Sequence, residues 1–429
     1  MNRLSVLILG IICTYNFAWA QGQYKVLYSF GGQAGGLNVS GPLATDRSGH
    51  LFGTAQVGGI VPNCDGGGCG VVWALSQIGG TWQETVLHDF CSNSGCADGI
   101  FPETGVIADS AGNLYGEAPY GGLQTKLCYS FLSFEAGCGV VFELSPPTAP
   151  GMSWTFTLLH TFCSDMVNNV CQDGAVPLGG LTMDTSGNLY GTTVAGGRND
   201  SGTVFELSPA GGTWNEAVLY NFCADGFPNC PDGARPESGV TFDSLGNLYG
   251  STDSDSTEPY PATVFKLSPS GGNWIHAVIY SFPQPQQQQP RTFSSIGPVT
   301  ADPGSIYTSY ILRDNPGGIA RMNSRGIVHN FNFDGQDGSY PIGKLLFDRK
   351  RDVLYGVTSG LPGFGNDGNI YQFDKSGQET VLYDFCPPNC ANGYLGAGGL
   401  LEDPAGNLYG IAELGGEFGG GVVYEFTPQ

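Results

Sequence analysis

The chain has 429 residues, 16 Lys+Arg against 38 Asp+Glu, a formal net charge of −22 and a pI near 4.3. So acidic a chain lacks the basic footprint that neutralises phosphates, which excludes a nucleic-acid partner, and it disfavours docking on an anionic membrane surface. Its 41% hydrophobic and 12% aromatic content is enough for a packed core, so the acidity does not imply disorder.

Residues 1–20, "MNRLSVLILGIICTYNFAWA", carry one early Arg, an apolar stretch from Leu4 to Cys13 and a small-x-small site at Ala18-Trp19-Ala20. This pattern predicts a secretory signal peptide. No later apolar run is long enough to span a bilayer, so residues 21–429 are expected to form one exported domain, secreted, periplasmic or at the cell surface, and monomeric.

A strand-like "YKVLYSF" follows at Tyr24–Phe30, with nothing resembling the units below in front of it. Then comes a phrase written seven times. Its clearest copies are "DSAGNLYG" from Asp109, "DTSGNLYG" from Asp184, "DSLGNLYG" from Asp243 and "DPAGNLYG" from Asp403. Looser copies start at Asp46, Asp302 and Asp348. Each sits in one frame: a short apolar run ending at the Asp, the turn and "NLYG", a Gly-rich loop, a segment such as "GTVFELS" at Gly202–Ser208, a turn, and a segment such as "EAVLYNF" at Glu216–Phe222. These are four strands rich in Val, Leu, Tyr and Phe with turn chemistry between them, and no stretch sustains a helical period.

Repeated four-strand units predict an all-β fold, a seven-bladed β-propeller of four-stranded antiparallel blades. The last unit stops at Gln429 without a fourth strand, and Tyr24–Phe30 is a fourth strand without a first three. The N-terminal strand is therefore expected to close the last blade. A Gly precedes the Asp in every copy, at Gly41, Gly105, Gly180, Gly239, Gly297, Gly343 and Gly399, as crowding of inner strands about one axis requires. The repeated Asp is read as a turn acceptor for backbone N–H groups.

These phrases, with "GTVFELSP", "GG-x-W" and "E-x-VLY-x-F", resemble the GloVer (Gloeo/Verruco) tandem-repeat family of exported bacterial proteins over residues 24–429. The resemblance implies an extracellular location and brings no established activity or catalytic residues.

Twelve cysteines remain once Cys13 leaves with the signal, in six close pairs: Cys64/Cys69, Cys91/Cys96, Cys128/Cys138, Cys163/Cys171, Cys223/Cys230 and Cys386/Cys390. An even count in an exported chain predicts six local disulfides. Zinc is the rival, but it favours Cys-x2-Cys knuckles or paired His, and neither spacing occurs. All six pairs fall in the connections from strand 4 to the next strand 1 or from strand 2 to strand 3, which emerge on one face. Each pair is expected to stiffen its own surface loop and to tie no distant parts together.

That face also carries Asp-Gly-x-x-Pro at Asp98, Asp173, Asp232 and Asp337. The phrase is read first as a turn. As a ligand site it would place a ring of carboxylates at the channel mouth, able to take Ca²⁺ or sugar hydroxyls. Asp253, Asp255 and Glu258 in "DSDSTE" read first as an acidic solvated loop and otherwise form the best single Ca²⁺ candidate; no cofactor is expected unless it is calcium. Tyr129, Phe131 and Phe134 in the long loop before Cys138 are expected either to fold down over the blade or to form a binding lip. His88, His160, His276 and His329 lie in fourth strands of separate blades and are not expected to converge on a metal. No nucleophile elbow or phosphate loop is present. The expected function is non-enzymatic binding of an extracellular glycan or protein. The alternative is a carbohydrate hydrolase or lyase using acids on the disulfide-braced face.

Overall fold

A computed structural model describes residues 22–31, 35–60, 64, 67–125, 128, 137–149, 151–226, 230–253, 260–282, 293–302, 304–312, 315–323, 326–333, 339–360, 367–374, 376–386 and 390–429. The predicted signal segment 1–20 lies outside them, as do Tyr129, Phe131, Phe134, Asp255, Glu258 and Asp337.

The described chain is almost entirely strand, folded as a β-propeller. Five separate antiparallel sheets of four or five strands are built by residues 36–89, 106–161, 175–221, 234–281 and 293–332. Eight further strands form one sheet, in which residues 341–384 and residues 394–428 are joined by a single parallel bridge between Lys344 and Gly399. Seven separate four-stranded sheets were expected. The two inner strands run together because a Cβ on Gly343 would lie 2.4 Å from the backbone N of Gly399, close enough for backbones to pair. Gly22–Ser29 lies antiparallel against Val422–Pro428 at the far edge of this sheet, with Tyr24 opposite Phe426 and Lys25 opposite Glu425.

The strand sequences follow from where each sits in a blade. Second and third strands are covered on both faces by neighbouring blades, so Leu114–Ala118 is buried at every position and Val71–Leu75 likewise. Largely apolar runs result, with Glu117 the buried exception in the first. Fourth strands face solvent on the outside, and Thr213–Asn221 alternates accordingly. Between third and fourth strands the register slips at Val72/Trp73, Val141/Phe142, Val204/Phe205, Val264/Phe265 and Ile370/Tyr371. A bulge at the same place in successive units increases local twist.

The "D-x-x-GNLYG" phrase is a turn with four acceptor contacts. Asp109 Oδ1 accepts the N–H groups of Ala111 and Asn113 at 2.8 and 2.9 Å, and its Oδ2 accepts from Asn113 Nδ2 and the Tyr115 hydroxyl at 2.9 and 3.2 Å. Asp184 and Asp243 repeat all four contacts.

Inner strands meet at glycine. A Cβ on Gly41 would lie 2.2 Å from the Gly105 nitrogen, and one on Gly398 would lie 2.0 Å from the Gly41 carbonyl oxygen. Gly41 also has φ +75, where an L side chain is strained. Gly41→Ala is expected to cost about 2–4 kcal/mol, from clash and backbone strain together, read as a fall in the urea midpoint. A midpoint within error of the parent would show that the inner strands can separate.

Candidate functional site

The loops that deliver the inner strands are built around the Asp-Gly-x-x-Pro phrase. The residue before Pro has positive φ at Phe101, Val176, Arg235 and Tyr340, between 54 and 59°, although side-chain crowding opposes this. The strain is held by hydrogen bonds to the preceding unit: Phe101 N–H donates to the Cys69 carbonyl, Val176 to Cys138 and Arg235 to Ser201, at 2.8, 2.8 and 2.9 Å. Two of these three acceptors belong to disulfide cysteines.

All six cysteine pairs stand at disulfide distance. The Cα–Cα separations are 5.2 Å for Cys64–Cys69, 3.9 Å for Cys91–Cys96, 5.3 Å for Cys128–Cys138, 4.5 Å for Cys163–Cys171, 4.3 Å for Cys223–Cys230 and 3.9 Å for Cys386–Cys390. The bridges themselves are local, as expected, joining residues 4 to 10 apart in sequence, but the pairs are not confined to the surface and their backbone reaches further. Cys223 is fully buried and Cys230 is 1% exposed, so this pair sits beneath its loop, packed with Ala234 and Tyr260. The Cys230 carbonyl accepts the Gly233 N–H at 3.1 Å and so closes the turn at Asp232. The Cys390 carbonyl does more, because it accepts from Gly393 in its own loop at 3.0 Å and from Gly416 in the following strand 2-to-3 loop at 2.9 Å. Cys96 holds Gly99 and Gly122 in the same way, and Cys171 holds Gly174 and Gly197. The physical reason is that a buried carbonyl must find donors, and the nearest ones come from both loops. Fixing the second cysteine of such a pair therefore joins two loops through its backbone.

Asp98, Asp173 and Asp232 do not form an open ring at the channel mouth. They are 1, 3 and 7% exposed and hold the strand 4-to-1 loop. Asp98 Oδ2 accepts from the Ser92 N–H and hydroxyl at 3.1 and 2.8 Å and faces His88 Nε2 at 3.1 Å. Asp173 accepts from Ser164 in the same way and lies 3.3 Å from His160 Nε2. Tyr220 takes the His place in the third case, donating to Asp232 at 2.8 Å. Burial pushes the carboxyls of Asp98 and Asp173 up, but the His and Ser hydrogen bonds outweigh it and hold both below the usual range. A depressed folded pKa means stability present above the free value and lost as pH falls through the folded one. Asp98→Ala is therefore expected to lower the melting temperature by several degrees at pH 7, and by much less near pH 2, a comparison that scanning calorimetry makes directly. Asp253 ends its strand opposite Ala234.

The open space lies on the axis. A cavity of about 530 Å³ is lined by the inner strands and by Gln56, Glu103, Glu237, Lys344 and Glu413. Glu103 and Glu237 each follow the Pro of the turn phrase, so the strained turn aims them inward. Gln56 and Glu413 occupy one repeat position, the residue that follows "GTA" and "GIA". Gln56 Nε2 donates to Glu103 Oε1 at 2.6 Å, and Arg235 Nη2 holds Glu237 Oε1 at 3.2 Å. Burial pushes the Glu103 carboxyl up, partly offset by the Gln56 bond. Burial, then the charge of Glu103, raises Glu413 to about 7. Tyr120 is raised by burial and by the charges of Glu103 and Glu237, which places it near both. Burial lowers Lys344, whose Nζ donates to Thr241 Oγ1 at 3.2 Å.

Such a cavity offers, in Glu413, a carboxyl raised to about 7 that can both donate and accept hydrogen bonds, beside Glu103, which burial also pushes up. It fits a hydroxyl-rich neutral ligand better than a bare divalent cation. Among the described residues, no three carboxylate or imidazole groups converge at metal-ligand spacing; the one converging group is four cysteine sulfurs.

A family model described as the Gloeobacter/Verrucomicrobia repeat matches residues 10–261, 129–326 and 244–429. None of the curated proteins matches the chain. Among solved structures, the chain is similar to a Bacteroides uniformis protein named for 6-phosphogluconolactonase, at 13% identity over 79% of this chain and 82% of that one with a TM-score of 0.45. It is similar to a gluconolactonase of Xanthomonas campestris at 12% identity, 95% and 90% coverage and 0.42. It is also similar to YCF48 of Cyanidioschyzon merolae at 13%, 94%, 98% and 0.45.

Proposed function

The chain belongs to the Gloeobacter/Verrucomicrobia repeat family, and from that premise we propose that it is an exported seven-bladed propeller that binds a glycan in its axial cavity. The blade count treats the eight-stranded sheet as two blades joined by one bridge, the second completed by Gly22–Ser29. The carrying observation is the convergence of Glu103, Glu237, Glu413 and Gln56 on one cavity of about 530 Å³, a size that takes a small ligand. A carboxyl raised to about 7, Glu413, together with Glu103 and the Gln56 amide beside it, matches sugar hydroxyls, which present donors and acceptors together. Export is supported by the apolar leader with its cleavage pattern and by six cysteine pairs at disulfide distance.

The test is a glycan array probed with the mature protein and with Glu103→Gln/Glu413→Gln. Retention by a glycan class, lost in the double variant while its circular dichroism is unchanged, is the expected result. Retention unchanged in the variant would move the site off the axis.

One observation favours a second reading. Two coupled acids, one near neutrality, are the equipment of general acid–base hydrolysis. Under that reading, release of reducing ends falls as pH rises through about 7, following deprotonation of Glu413 as the acid. Glu413→Gln would remove that inflection along with the turnover. Retention of the glycan without any reducing-end release at pH 5 to 8 would leave the binding reading alone.

A further inference from the structure

Two of the disulfides stand in contact. Cys128–Cys138 braces the strand 2-to-3 loop of residues 106–161, and Cys163–Cys171 braces the loop into the next sheet. All four Sγ atoms lie within 4.8 Å of one another, and all four residues are buried. The Thr125 hydroxyl reaches Cys138 Sγ at 3.5 Å and Cys163 Sγ at 3.8 Å, one from each bridge. Cys64–Cys69 and Cys91–Cys96 hold the equivalent two loops one unit earlier, yet their sulfurs do not converge at this spacing among the described residues. Shared topology alone therefore does not bring four sulfurs together.

Tetrahedral zinc with Zn–S bonds of about 2.3 Å sets its sulfurs about 3.8 Å apart. Four sulfurs already inside 4.8 Å reach that arrangement by side-chain rotation once reduction lets the two bonded pairs separate. We infer that Cys128, Cys138, Cys163 and Cys171 form a redox-gated tetrathiolate site for a soft divalent cation, closed as two disulfides and opened by a dithiol. Each disulfide is reduced to two thiols while one dithiol is oxidised to its own disulfide. The four thiols then bind one Zn²⁺ and release four protons. The anionic cluster gains the Thr125 O–H as a hydrogen-bond donor to sulfur. The metal links the same two loops that the separate disulfides brace singly, so the metal-bound form joins adjacent sheets through metal–sulfur bonds where the oxidised form does not. Met166–Val167 and Val170–Cys171, the small hairpin inside the Cys163 loop, keeps the second pair of ligands placed when the bridges open.

The test uses the whole mature protein, reduced with a dithiol, freed of it by gel filtration without oxygen, and titrated with Co²⁺. One equivalent with intense sulfur-to-cobalt charge-transfer absorption is expected, displaced by one equivalent of Zn²⁺. The oxidised protein should bind none. Cys64→Ser/Cys69→Ser should keep the site, and Cys163→Ser/Cys171→Ser should lose it. If the second variant fails to fold, cysteine-by-cysteine alkylation of the reduced protein with and without Zn²⁺ replaces it: zinc should protect these four and leave the other eight reactive. Equal reactivity at all twelve, absence of the charge-transfer band, or a band that follows Cys64 and Cys69 would overturn the assignment.

Discussion

A protein lacking residues 22–30 is expected to melt far below the intact mature chain and to associate into larger species. The segment is held along its length. Gly22–Ser29 pairs with Val422–Pro428, Phe30 N–H donates to the Gly421 carbonyl at 2.9 Å, and Gly420 N–H donates back to Phe30 at 3.1 Å. Tyr24 stacks on Tyr383 at 3.9 Å and gives its hydroxyl proton to the Asn392 carbonyl at 2.6 Å. Phe30 is fully buried, with Trp73 at 4.9 Å. One short strand thus ties the C-terminal unit to residues on both of its sides, 36–89 and 379–394. Losing the contacts of Tyr24, Val26, Leu27 and Phe30, of which Phe30 is fully buried and the others half-buried, forfeits at most roughly 6–12 kcal/mol at about 1.5–3 kcal/mol per fully buried side chain, comparable with the whole stability of a typical domain. Val422–Pro428 would become an open apolar edge that recruits other chains. Calorimetry with sedimentation checks both halves. Equal melting and a clean monomer would mean the strand is dispensable, and closure of the ring by it would have to be given up.

The pairing of first and last strands was legible because a repeat advertises its own incompleteness: three strands at the end and one at the beginning. The turn role of Asp109 and its copies was legible for the same reason, since the phrase carries its partners, Asn113 and Tyr115, at fixed spacing. The axial acids were not. Glu103, Glu237 and Glu413 come from units far apart and from two different repeat positions, and each stands where sister units carry something else: Leu178 in the place of Glu103, Gln56 in the place of Glu413. A signal did exist in "DGIFPE" and "DGARPE", where the residue after Pro is acidic twice, but it was hidden behind the more regular Asp of the same phrase. That Asp drew attention as a channel ligand. Its regularity reflects instead a repeated structural duty, capping the loop through Ser92 and Ser164. The reach of Cys390 to Gly416 was hidden too, because cysteine spacing reports on one loop and says nothing of which backbone donors fold against it. The merged eight-stranded sheet was also invisible, because the Lys344–Gly399 bridge depends on a tertiary approach, not on the pattern of either strand.

Glu117→Gln is expected to raise stability by about 3 kcal/mol at pH 7 and to leave it almost unchanged at pH 4. Sister units place Thr or Ser at this position to reach the next inner strand: Thr54 Oγ1 accepts the Gly105 N–H at 3.1 Å, and the Ser251 hydroxyl donates to the Gly297 carbonyl at 3.0 Å. Glu117 does the same job with a longer group, its Oε2 accepting the Gly180 N–H at 2.9 Å. Its Oε1 has no hydrogen-bond partner among the described residues and lies 2.7 Å from where a Gly191 Cβ would stand. Fully buried, the carboxyl is pushed up to about 8, with the Gly180 bond opposing burial only in part. At pH 7 the folded chain therefore keeps a proton that the unfolded chain, at 4.5, has released. The unfolded state binds fewer protons across that interval, so stability falls as pH climbs from about 4.5 to 8. At about 1.4 kcal/mol per unit, the loss is roughly 3 kcal/mol at pH 7 and approaches about 5 above pH 8. The amide of Gln keeps the acceptor for Gly180 and cannot ionise, so it removes the loss without vacating the space. Glu216, raised to about 8 by burial and the charges of Asp173 and Asp165, pulls the same way, while Asp98 and Asp173 penalise the opposite side, below about pH 4. The parent should be most stable between these limits, near pH 4 to 5, and Glu117→Gln should flatten the alkaline limb alone. Urea midpoints measured from pH 4 to 9 decide it: parallel curves for parent and variant would mean that Glu117 titrates as it does in the unfolded chain, with solvent reaching the joint between the two sheets.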